Sequence, residues 1–466
     1  MSVSHDGRSQ RFARTTWRCA AIAVTTLLTG TGCNLFFPPV NNEPNEPNTV
    51  EPNTPAEPNT PAEPNEPAEP NEPTEPVFNN LTDRTNDNAT YIGSKACMAC
   101  HADIAAEQKV HGHAHKLNKV QGQAPTYPAE GTRAGGFDPP DGKTWDDVAY
   151  VIGGYIRKAR FVDLDGYVMT TGVEGVDTQW NLDFPPNGTT PGWVPYEGDR
   201  APDDPKPYNQ SCFVCHTTGP LPSDPDHPTF QDNRPGMEGT FAETGVQCES
   251  CHGPGSNHVP NPAARNIYVD LEGVTCNECH NRPFQSDTGE ILASGGYIKH
   301  HEQYPELQAS GGHATFNCMV CHDPHVSTNY DRDNAITTAC TDCHTDKTLD
   351  FHEGKIFVRG DYTERLSCES CHMPYATKSG SAAGPEIAGE LGRIGDMRTH
   401  IFRVNTNAVD YHAMFSEDGK SVVLDSQGRA AVTVDFVCLR CHNGVGNAFG
   451  LTINAAAAIA EGVHGN

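Results

Sequence analysis

The sequence predicts a fold that is mainly α-helical and irregular, with two small β-hairpins and little sheet. Counting Gly and leaving out Tyr, about 42% of the 466 residues are apolar, below the roughly 45–50% of ordinary globular chains. A repeated cysteine motif crowds residues 212–372, at spacings that leave room for only one or two helical turns and a loop. Only two segments combine alternating apolar residues with a turn signal. Side chains alone would therefore make a thin core.

Sixteen of the eighteen cysteines form eight Cys-x-x-Cys pairs, and a histidine follows each pair at once. Positions i, i+3 and i+4 share one face of a helical turn, so both sulfurs can reach the two vinyl groups of one haem while the imidazole faces its iron. This is the attachment motif of c-type haem. We therefore expect eight covalently attached haem c groups, held by Cys97, Cys100 and His101; Cys212, Cys215 and His216; Cys248, Cys251 and His252; Cys276, Cys279 and His280; Cys318, Cys321 and His322; Cys340, Cys343 and His344; Cys368, Cys371 and His372; and Cys438, Cys441 and His442.

Two other uses of paired cysteines were weighed against haem. Such pairs can bind structural zinc, or form disulfides or redox dithiols. Neither use needs a histidine after every second cysteine. Only Cys19 and Cys33 lie outside the motifs. Eight macrocycles within residues 91–466 would also supply the apolar surface that the side chains lack, which predicts a haem-packed multihaem cytochrome c domain.

Residues 1–32 have the pattern of an export signal. Four arginines between positions 8 and 18 precede an apolar run, Cys19–Leu28, and small residues precede Cys33. The run is too short to span a bilayer. The segment before Cys33 resembles a bacterial lipoprotein cleavage site, although Gly30 replaces the usual Leu. We expect an exported protein, periplasmic or at the cell surface, with a lipid anchor at Cys33 that holds it to a bacterial membrane; cleavage without lipid is the alternative.

Residues 33–90 form a predicted linker rich in Glu, Pro and Asn. Between positions 38 and 76 the chain carries nine Glu and no Lys or Arg. Such a segment cannot bury a core, and its prolines favour an extended conformation of about 3.1 Å per residue. The linker is expected to be disordered, either as a stalk or as a passive spacer.

The charge balance restricts the partners. Lys and Arg total 32 against 60 Asp and Glu, a formal charge of -28. Nucleic acid is therefore a poor partner. An acidic surface would suit basic redox partner proteins and make encounter rates sensitive to salt. The sequence carries no signal for the oligomeric state.

Three segments outside the motifs have predicted structure. An insert at about 145–185 should hold a short helix from Trp145 and a hairpin over 156–171 with its turn at 163–166. A second hairpin is expected over 421–436, around 425–428. The Ala-rich tail over 452–463 is helical in propensity and would bring His464 onto a haem.

Haem iron also needs a sixth ligand, and the residue that fills this position separates an electron carrier from an enzyme. Beyond the eight motif histidines and His5, thirteen His remain, enough to fill every position. We therefore expect mostly or wholly bis-histidine iron. His258 and His325 each follow a motif and a Pro turn that would aim them at a neighbouring haem. His300 and His301 are adjacent and point in different directions, so one of them is expected to bind.

Several segments resemble the multihaem cytochrome c superfamily, which includes pentahaem nitrite reductase, octahaem hydroxylamine oxidoreductase, octahaem tetrathionate reductase and noncatalytic carriers. These are Tyr-Ile-Gly-Ser-Lys-Ala-Cys from Tyr91, Cys-His-Gly-Pro-Gly-Ser from Cys251, Cys-His-Asp-Pro-His from Cys321, Cys-His-Met-Pro from Cys371 and Asp-Met-Arg-Thr-His from Asp396. The resemblance covers about residues 91–466. It implies closely packed haems, mostly bis-histidine, with distal ligands at His113, His258, His301, His313, His325, His352, His400 and His464.

Two functions stay open. The catalytic Cys-x-x-Cys-Lys motif of the nitrite and tetrathionate enzymes is absent, which favours electron transfer through the haems. The alternative is an oxidoreductase acting on a small nitrogen or sulfur oxyanion at one open haem, with a proton donor among His111, His115, His227 and His412. No catalytic residue is identified. A structural or filament-forming role is compatible with electron transfer.

Overall fold

The computed structural model describes residues 86–128, 133–264, 266–282 and 290–464. The predicted export signal, Cys33 and all but the last few residues of the predicted linker lie outside these ranges. Within the described ranges, no helix is both long and apolar enough to cross a membrane.

The α-helices are short, and the longest described helix has nine residues. In chain order they are α1 Ser94–Met98, α2 Ala102–Val110, α3 Thr171–Glu174, α4 Gln210–His216, α5 Cys248–His252, α6 Val274–Cys279, α7 Gln303–Gln308, α8 Arg332–Ala335, α9 Cys340–Cys343, α10 Cys368–His372, α11 Pro385–Ala388 and α12 Ile453–Ala460. Tight helical turns over Cys318–Val320 and Asp435–Leu439 carry the fifth and eighth motifs.

Each Cys-x-x-Cys-His motif closes as a helical turn. Three end α4, α5 and α10. In the other five, the histidine N–H donates to the first cysteine's carbonyl at 2.9–3.0 Å. This bond places the two sulfurs and the imidazole on one face.

The strands are more numerous than expected. In chain order they are β1 Leu117–Lys119, β2 Val148–Gly153, β3 Lys158–Asp163, β4 Tyr167–Val168, β5 Gln179–Asn181, β6 Gly192–Val194, β7 Lys206–Pro207, β8 Thr217–Thr218, β9 Glu243–Thr244, β10 Ala293–Ser294, β11 Tyr297–Lys299, β12 Ile356–Arg359, β13 Tyr362–Arg365, β14 Thr377–Lys378, β15 Val404–Asn405 and β16 Val432–Thr433. Strands β1 to β7 form one antiparallel sheet, in which β5 pairs with β3 and β6. The expectation of little sheet is therefore wrong for the segment before the second motif.

The expected helix after Trp145 is also wrong beyond its first turn. A short turn covers Trp145–Asp147, and the following residues form β2. Val148, Ala149, Tyr150 and Val151 are all buried. Because β2 lies between β1 and β3 and is covered on both faces, its sequence lacks the alternation that marks a half-exposed strand.

The first hairpin is present, but only its tip is paired. Val162 pairs with Val168, and the Asp163 carboxylate accepts the Tyr167 N–H at 2.8 Å. Gly166 has φ 90°, and a Cβ there would lie 2.5 Å from the Met237 side chain. A residue without a side chain is therefore required at this turn.

The second expected hairpin is wrong, although its turn forms. The Gly428 N–H donates to the Asp425 carbonyl at 2.9 Å. The segment after the turn does not pair with the segment before it. Its strand, β16, pairs in parallel with β15 instead. An unexpected hairpin forms instead from β12 and β13.

Buried apolar side chains are unevenly distributed. They concentrate in the seven-stranded sheet and between positions 291 and 457. Between positions 247 and 290, no described hydrophobic side chain is buried. Leu271 in this stretch is 77% exposed, and Val269 and Val274 are 56% exposed. The stretch carries the third and fourth motifs, so these side chains stand where attached haems would cover them.

Candidate haem centres

The motif cysteines are available for attachment. All sixteen are free thiols, and the two cysteines of each motif lie within one helical turn. Among the described residues, no disulfide competes with thioether formation. The same residues contain no cluster of three or more His, Cys, Asp or Glu arranged to hold a metal ion by themselves.

Seven of the eight motif imidazoles face a second histidine ring. The ring centroids are 5.6–6.4 Å apart. The pairs are His101 with His258, His252 with His325, His280 with His113 and with His301, His322 with His400, His344 with His313, His372 with His464, and His442 with His352.

This separation fits one metal ion between two rings. An imidazole nitrogen lies about 2 Å from a first-row metal ion, so two rings that share an ion have centroids roughly 6 Å apart. The rings of His252 and His325 are inclined by only 5°, and those of His372 and His464 by 15°. The residues present therefore fit a haem iron with two axial imidazoles.

The second ring nitrogen of several motif histidines is held by the protein. The Nδ1 of His252 forms a hydrogen bond with the Tyr268 carbonyl at 2.9 Å. The Nδ1 of His372 forms one with the Phe402 carbonyl at 2.7 Å. In His280 the partner is the Gln303 side-chain oxygen, at 2.9 Å. Such bonds fix the tautomer and leave Nε2 for a metal.

Burial favours the neutral form, which metal ligation requires, in several of the facing imidazoles. Burial, followed by the charge of His322, lowers the pKa of His400 to about 3. Burial also lowers the pKa of His113 and His301 well below the ordinary value.

Two histidines converge on His280. The His113 ring lies 6.0 Å from it and the His301 ring 5.6 Å. Only one of them can be the sixth ligand of a single iron. His301 has φ 69°, a left-handed conformation that is uncommon outside glycine.

His216 is the exception among the motif histidines. Its ring neighbour is Tyr208, at 6.1 Å, and the Tyr208 hydroxyl bonds His216 Nδ1 at 2.9 Å. Tyr208 is fully buried. Among the described residues, no histidine ring pairs with His216 at the separation seen in the other seven motifs. The Nε2 of His216 therefore faces a region without an opposing imidazole.

The charges of four basic side chains act on His216. Burial, followed by the charges of Lys116, Arg160, Lys158 and Arg282, lowers the pKa of His216 to about 3. The first three are partly buried.

His300 belongs to the same region. Its Nε2 accepts a hydrogen bond from Arg282 at 2.9 Å. The charges that act on the pKa of His300 after burial are those of Lys158, Arg282, Arg160 and Lys116.

Sequence reasoning missed this cluster of cations. Its members come from β3, from the segment before β1 and from the segment after the fourth motif. One signal was present, because Lys158 and Arg160 alternate along β3 and so share a face.

The four candidate proton donors lie in different settings. His111 packs 4.3 Å from His113, and His115 lies 4.3 Å from Tyr155. His227 and His412 are exposed beside Asp224 and Asp410. The structure does not bring the four together.

Cysteines of different motifs also touch. The thiols of four pairs lie close enough to affect each other's pKa, namely Cys97 with Cys248, Cys215 with Cys279, Cys276 with Cys318 and Cys340 with Cys368. Because each cysteine would carry a haem edge, these contacts identify neighbouring attachment sites.

Residues 197–253 match the family model described as "Cytochrome c554 and c-prime". This region contains the second and third motifs, including His216 and His252. In this segment the chain is similar to that cytochrome family.

Two curated relatives match this chain over part of their length. It is 22% identical over 204 residues to the dissimilatory sulfite reductase MccA of Wolinella succinogenes, covering 35% of this chain and 27% of that protein. It is 23% identical over 188 residues to the multihaem cytochrome MtrA of Shewanella baltica, covering 37% of this chain and 47% of that one. The chain thus spans less than half of either relative.

Solved structures of multihaem cytochromes are similar to this one at low identity. The outer cell wall cytochrome OcwA gives a TM-score of 0.44 at 18% identity, covering 79% of this chain and 86% of that chain. The Wolinella succinogenes octahaem sulfite reductase MccA gives a TM-score of 0.47 at 17% identity, covering 84% and 69%.

Proposed function

We propose that this cytochrome carries eight haem c groups, of which seven have two axial histidines and conduct electrons. The eighth, at Cys212, Cys215 and His216, would be open on its distal side and pass electrons to a small oxyanion. The observation that carries this proposal is the contrast between His216 and the other motif histidines. Seven face a second imidazole, whereas the ring neighbour of His216 is Tyr208 and the charges of four cations act on its pKa.

The contacts between motifs give an order for the conducting groups. Cys215 touches Cys279, so the open site would exchange electrons through the fourth motif. Cys276 of that motif touches Cys318 of the fifth. The Cys340–Cys368 contact continues the chain from the sixth motif to the seventh. A haem held in this way supplies the Fe(III)/Fe(II) couple and, where no second imidazole binds, a coordination position for a ligand.

The side chains near His216 favour an anion over a neutral substrate. Four cations whose charges act on His216 would stabilise negative oxygens by charge-assisted hydrogen bonds. The carboxylates of Asp396 and Glu302 act on two of them, Lys158 and Arg282. Lys158 is held in place because its ammonium donates to the Ser379 carbonyl. Arg282 is held by two bonds to His300. A small oxyanion of sulfur or nitrogen, such as sulfite or nitrite, has the charge that these groups would bind, and the sulfite reductase name of one relative agrees with it.

Electron paramagnetic resonance on the oxidised holoprotein tests the proposal. We expect a high-spin ferric signal equal to one in eight haems, which shifts when sulfite or nitrite is added. Wholly low-spin spectra that neither anion changes would contradict it.

A purely electron-carrying cytochrome is the second candidate, and His301 is the observation in its favour. Its Nδ1 is buried without a hydrogen-bond partner, and the charge of His216 acts on its pKa. If His301 rather than an anion fills the sixth position, His301→Ala will create a high-spin signal that the wild type lacks. If the site is open, the wild type already has that signal.

Partner and location are part of the same proposal. The formal charge of -28 would favour a basic redox protein. Raising the ionic strength should then slow electron exchange with that partner, and a rate independent of salt would contradict it. Labelling with radioactive palmitate should mark Cys33 in the cell, and Cys33→Ala should abolish the label.

A further inference from the structure

Two arginines near the His216 region share one aromatic ring. The guanidinium carbons of Arg133 and Arg157 lie 5.8 and 4.5 Å from the centroid of Phe184. Arg133 also lies 5.8 Å from the Tyr330 ring. Two positive groups are thus held against the Phe184 ring.

The hydrogen bonds of Arg157 do not neutralise its charge. Arg157 donates only to neutral oxygens, the Asn329 side chain at 2.9 Å and the Ile156 carbonyl at 3.4 Å. Its Nε is shielded from solvent and has no hydrogen-bond partner. Among the described residues, neither Arg133 nor Arg157 forms an ion pair.

The carboxylate of Asp396 has its own hydrogen-bond partners. Asp396 acts on Arg157 through space. Its two carboxylate oxygens accept backbone N–H groups of Ser379, Gly380 and Ser381 at 2.6–3.0 Å. A shielded donor without a partner beside a second like charge is costly unless a ligand satisfies it.

The arginine pair is connected to the His216 region through neighbouring basic residues. Arg157 immediately precedes Lys158, and the charges of Arg157 and Lys116 act on each other. Lys116 in turn acts on His216. On the other side, Arg133 lies close in sequence to the exposed residues Gly136 and Asp138.

We propose that Arg133 and Arg157 form a separate anion-binding station that receives the oxyanion before it reaches His216. This proposal rests on the open site at His216 argued above. Guanidinium groups bind oxyanions through paired N–H donors, and fixed positive charge along an entry path raises association rates. The station would act on the arrival of anions and leave neutral ligands unaffected.

Stopped-flow absorbance on the holoprotein measures the association rates of an anion and of a neutral ligand separately. Nitrite binding to the oxidised protein reports an anion, and carbon monoxide binding to the reduced protein reports a neutral ligand. We expect Arg133→Gln and Arg157→Gln each to slow nitrite association about tenfold, with carbon monoxide association unchanged. Arg157→Lys should keep most of the nitrite rate, and higher ionic strength should slow the wild type more than either glutamine variant.

Arg365→Gln is the matched control, because it removes one exposed positive charge from β13. Haem absorbance per mass of protein confirms that each variant folds. An unchanged nitrite rate, or nitrite and carbon monoxide slowed equally, would overturn the station while the open site stands. A wild type that binds neither ligand would overturn the open site and the station together.

Discussion

The imidazole of His464 lies 5.9 Å from that of His372, and the two rings are nearly parallel. His464 follows α12, the last helix, and its backbone N–H donates to the Asp350 carboxylate at 2.8 Å. Its φ of 77° is a left-handed conformation that costs energy outside glycine. Helix α12 and Asp350 therefore hold this ring over the seventh motif.

Removing residues 464–466 should leave one iron without its second imidazole. We expect one low-spin haem in eight to become high-spin, with a change in the visible spectrum and new binding of carbon monoxide in the reduced protein. His227→Ala is the control, since this ring is exposed and faces no motif histidine. An unchanged spectrum in the truncated protein would refute the assignment.

The buried pair of Glu364 and Arg440 makes stability depend on pH. The carboxylate accepts two bonds from Arg440, at 2.7 and 2.9 Å. Although burial raises the pKa of Glu364, the Arg440 charge and hydrogen bonds, with help from Arg398 and Ser370, lower it to about 2. Relative to the ordinary value of 4.5, this corresponds to about 3 kcal/mol of stability.

Because the folded-state pKa is the lower one, the stabilisation is fully present above pH 4.5 and is lost as the pH falls towards 2. Glu364→Gln should therefore reduce the free energy of unfolding by about 3 kcal/mol at pH 7, and by much less at pH 3. Guanidinium unfolding at the two pH values measures this. Glu417→Gln, at an exposed position, is the control, and a deficit that does not shrink in acid would contradict the assignment.

The attachment motifs are local, which is why the sequence reveals them. The bond from the His101 N–H to the Cys97 carbonyl needs only five consecutive residues. The ring pairs are not local, since His372 and His464 stand 92 positions apart. No sequence spacing links the two histidines of a pair, because the packing of the haems decides which histidine lies opposite which motif.

The difference between local and long-range contacts also explains the errors in the predicted fold. Strand β2 is covered on both faces, so Val148–Gly153 shows no alternation and is easily taken for helix. Ser421–Phe436 has a true turn at Asp425, but β16 pairs with the distant β15. The cations at His216 come from three separate segments, and only the topology of the sheet brings them together.

Asp396 anchors the loop that holds Lys158. It is 1% exposed and accepts three backbone N–H groups, from Ser379 to Ser381. The Lys158 ammonium donates to the Ser379 carbonyl. Asp396→Ala leaves these donors unpaired, so we expect a loss of about 3 kcal/mol in the free energy of unfolding.

The freed loop should also weaken oxyanion binding at His216. We expect Asp396→Ala to raise the dissociation constant for nitrite, as Lys158→Gln does, with carbon monoxide binding retained. Asp418→Asn, on an exposed turn, should change neither quantity. A stability loss without any change in nitrite affinity would show that the loop does not position Lys158.

The two histidines that meet His280 can be distinguished by substitution. Gln303 bonds the Nδ1 of His280 and lies two residues after His301, so we expect His301 on the Nδ1 side of this ring. The metal-binding Nε2 faces the other way, and His113 is the remaining ring within 6.0 Å. His113→Ala should therefore convert the haem at the fourth motif to high-spin and add to the signal from the His216 site. His301→Ala should leave the number of high-spin haems unchanged. If the number rises instead, His301 is a sixth ligand, and the haem that gains the high-spin signal shows whether it belongs to the fourth or the second motif.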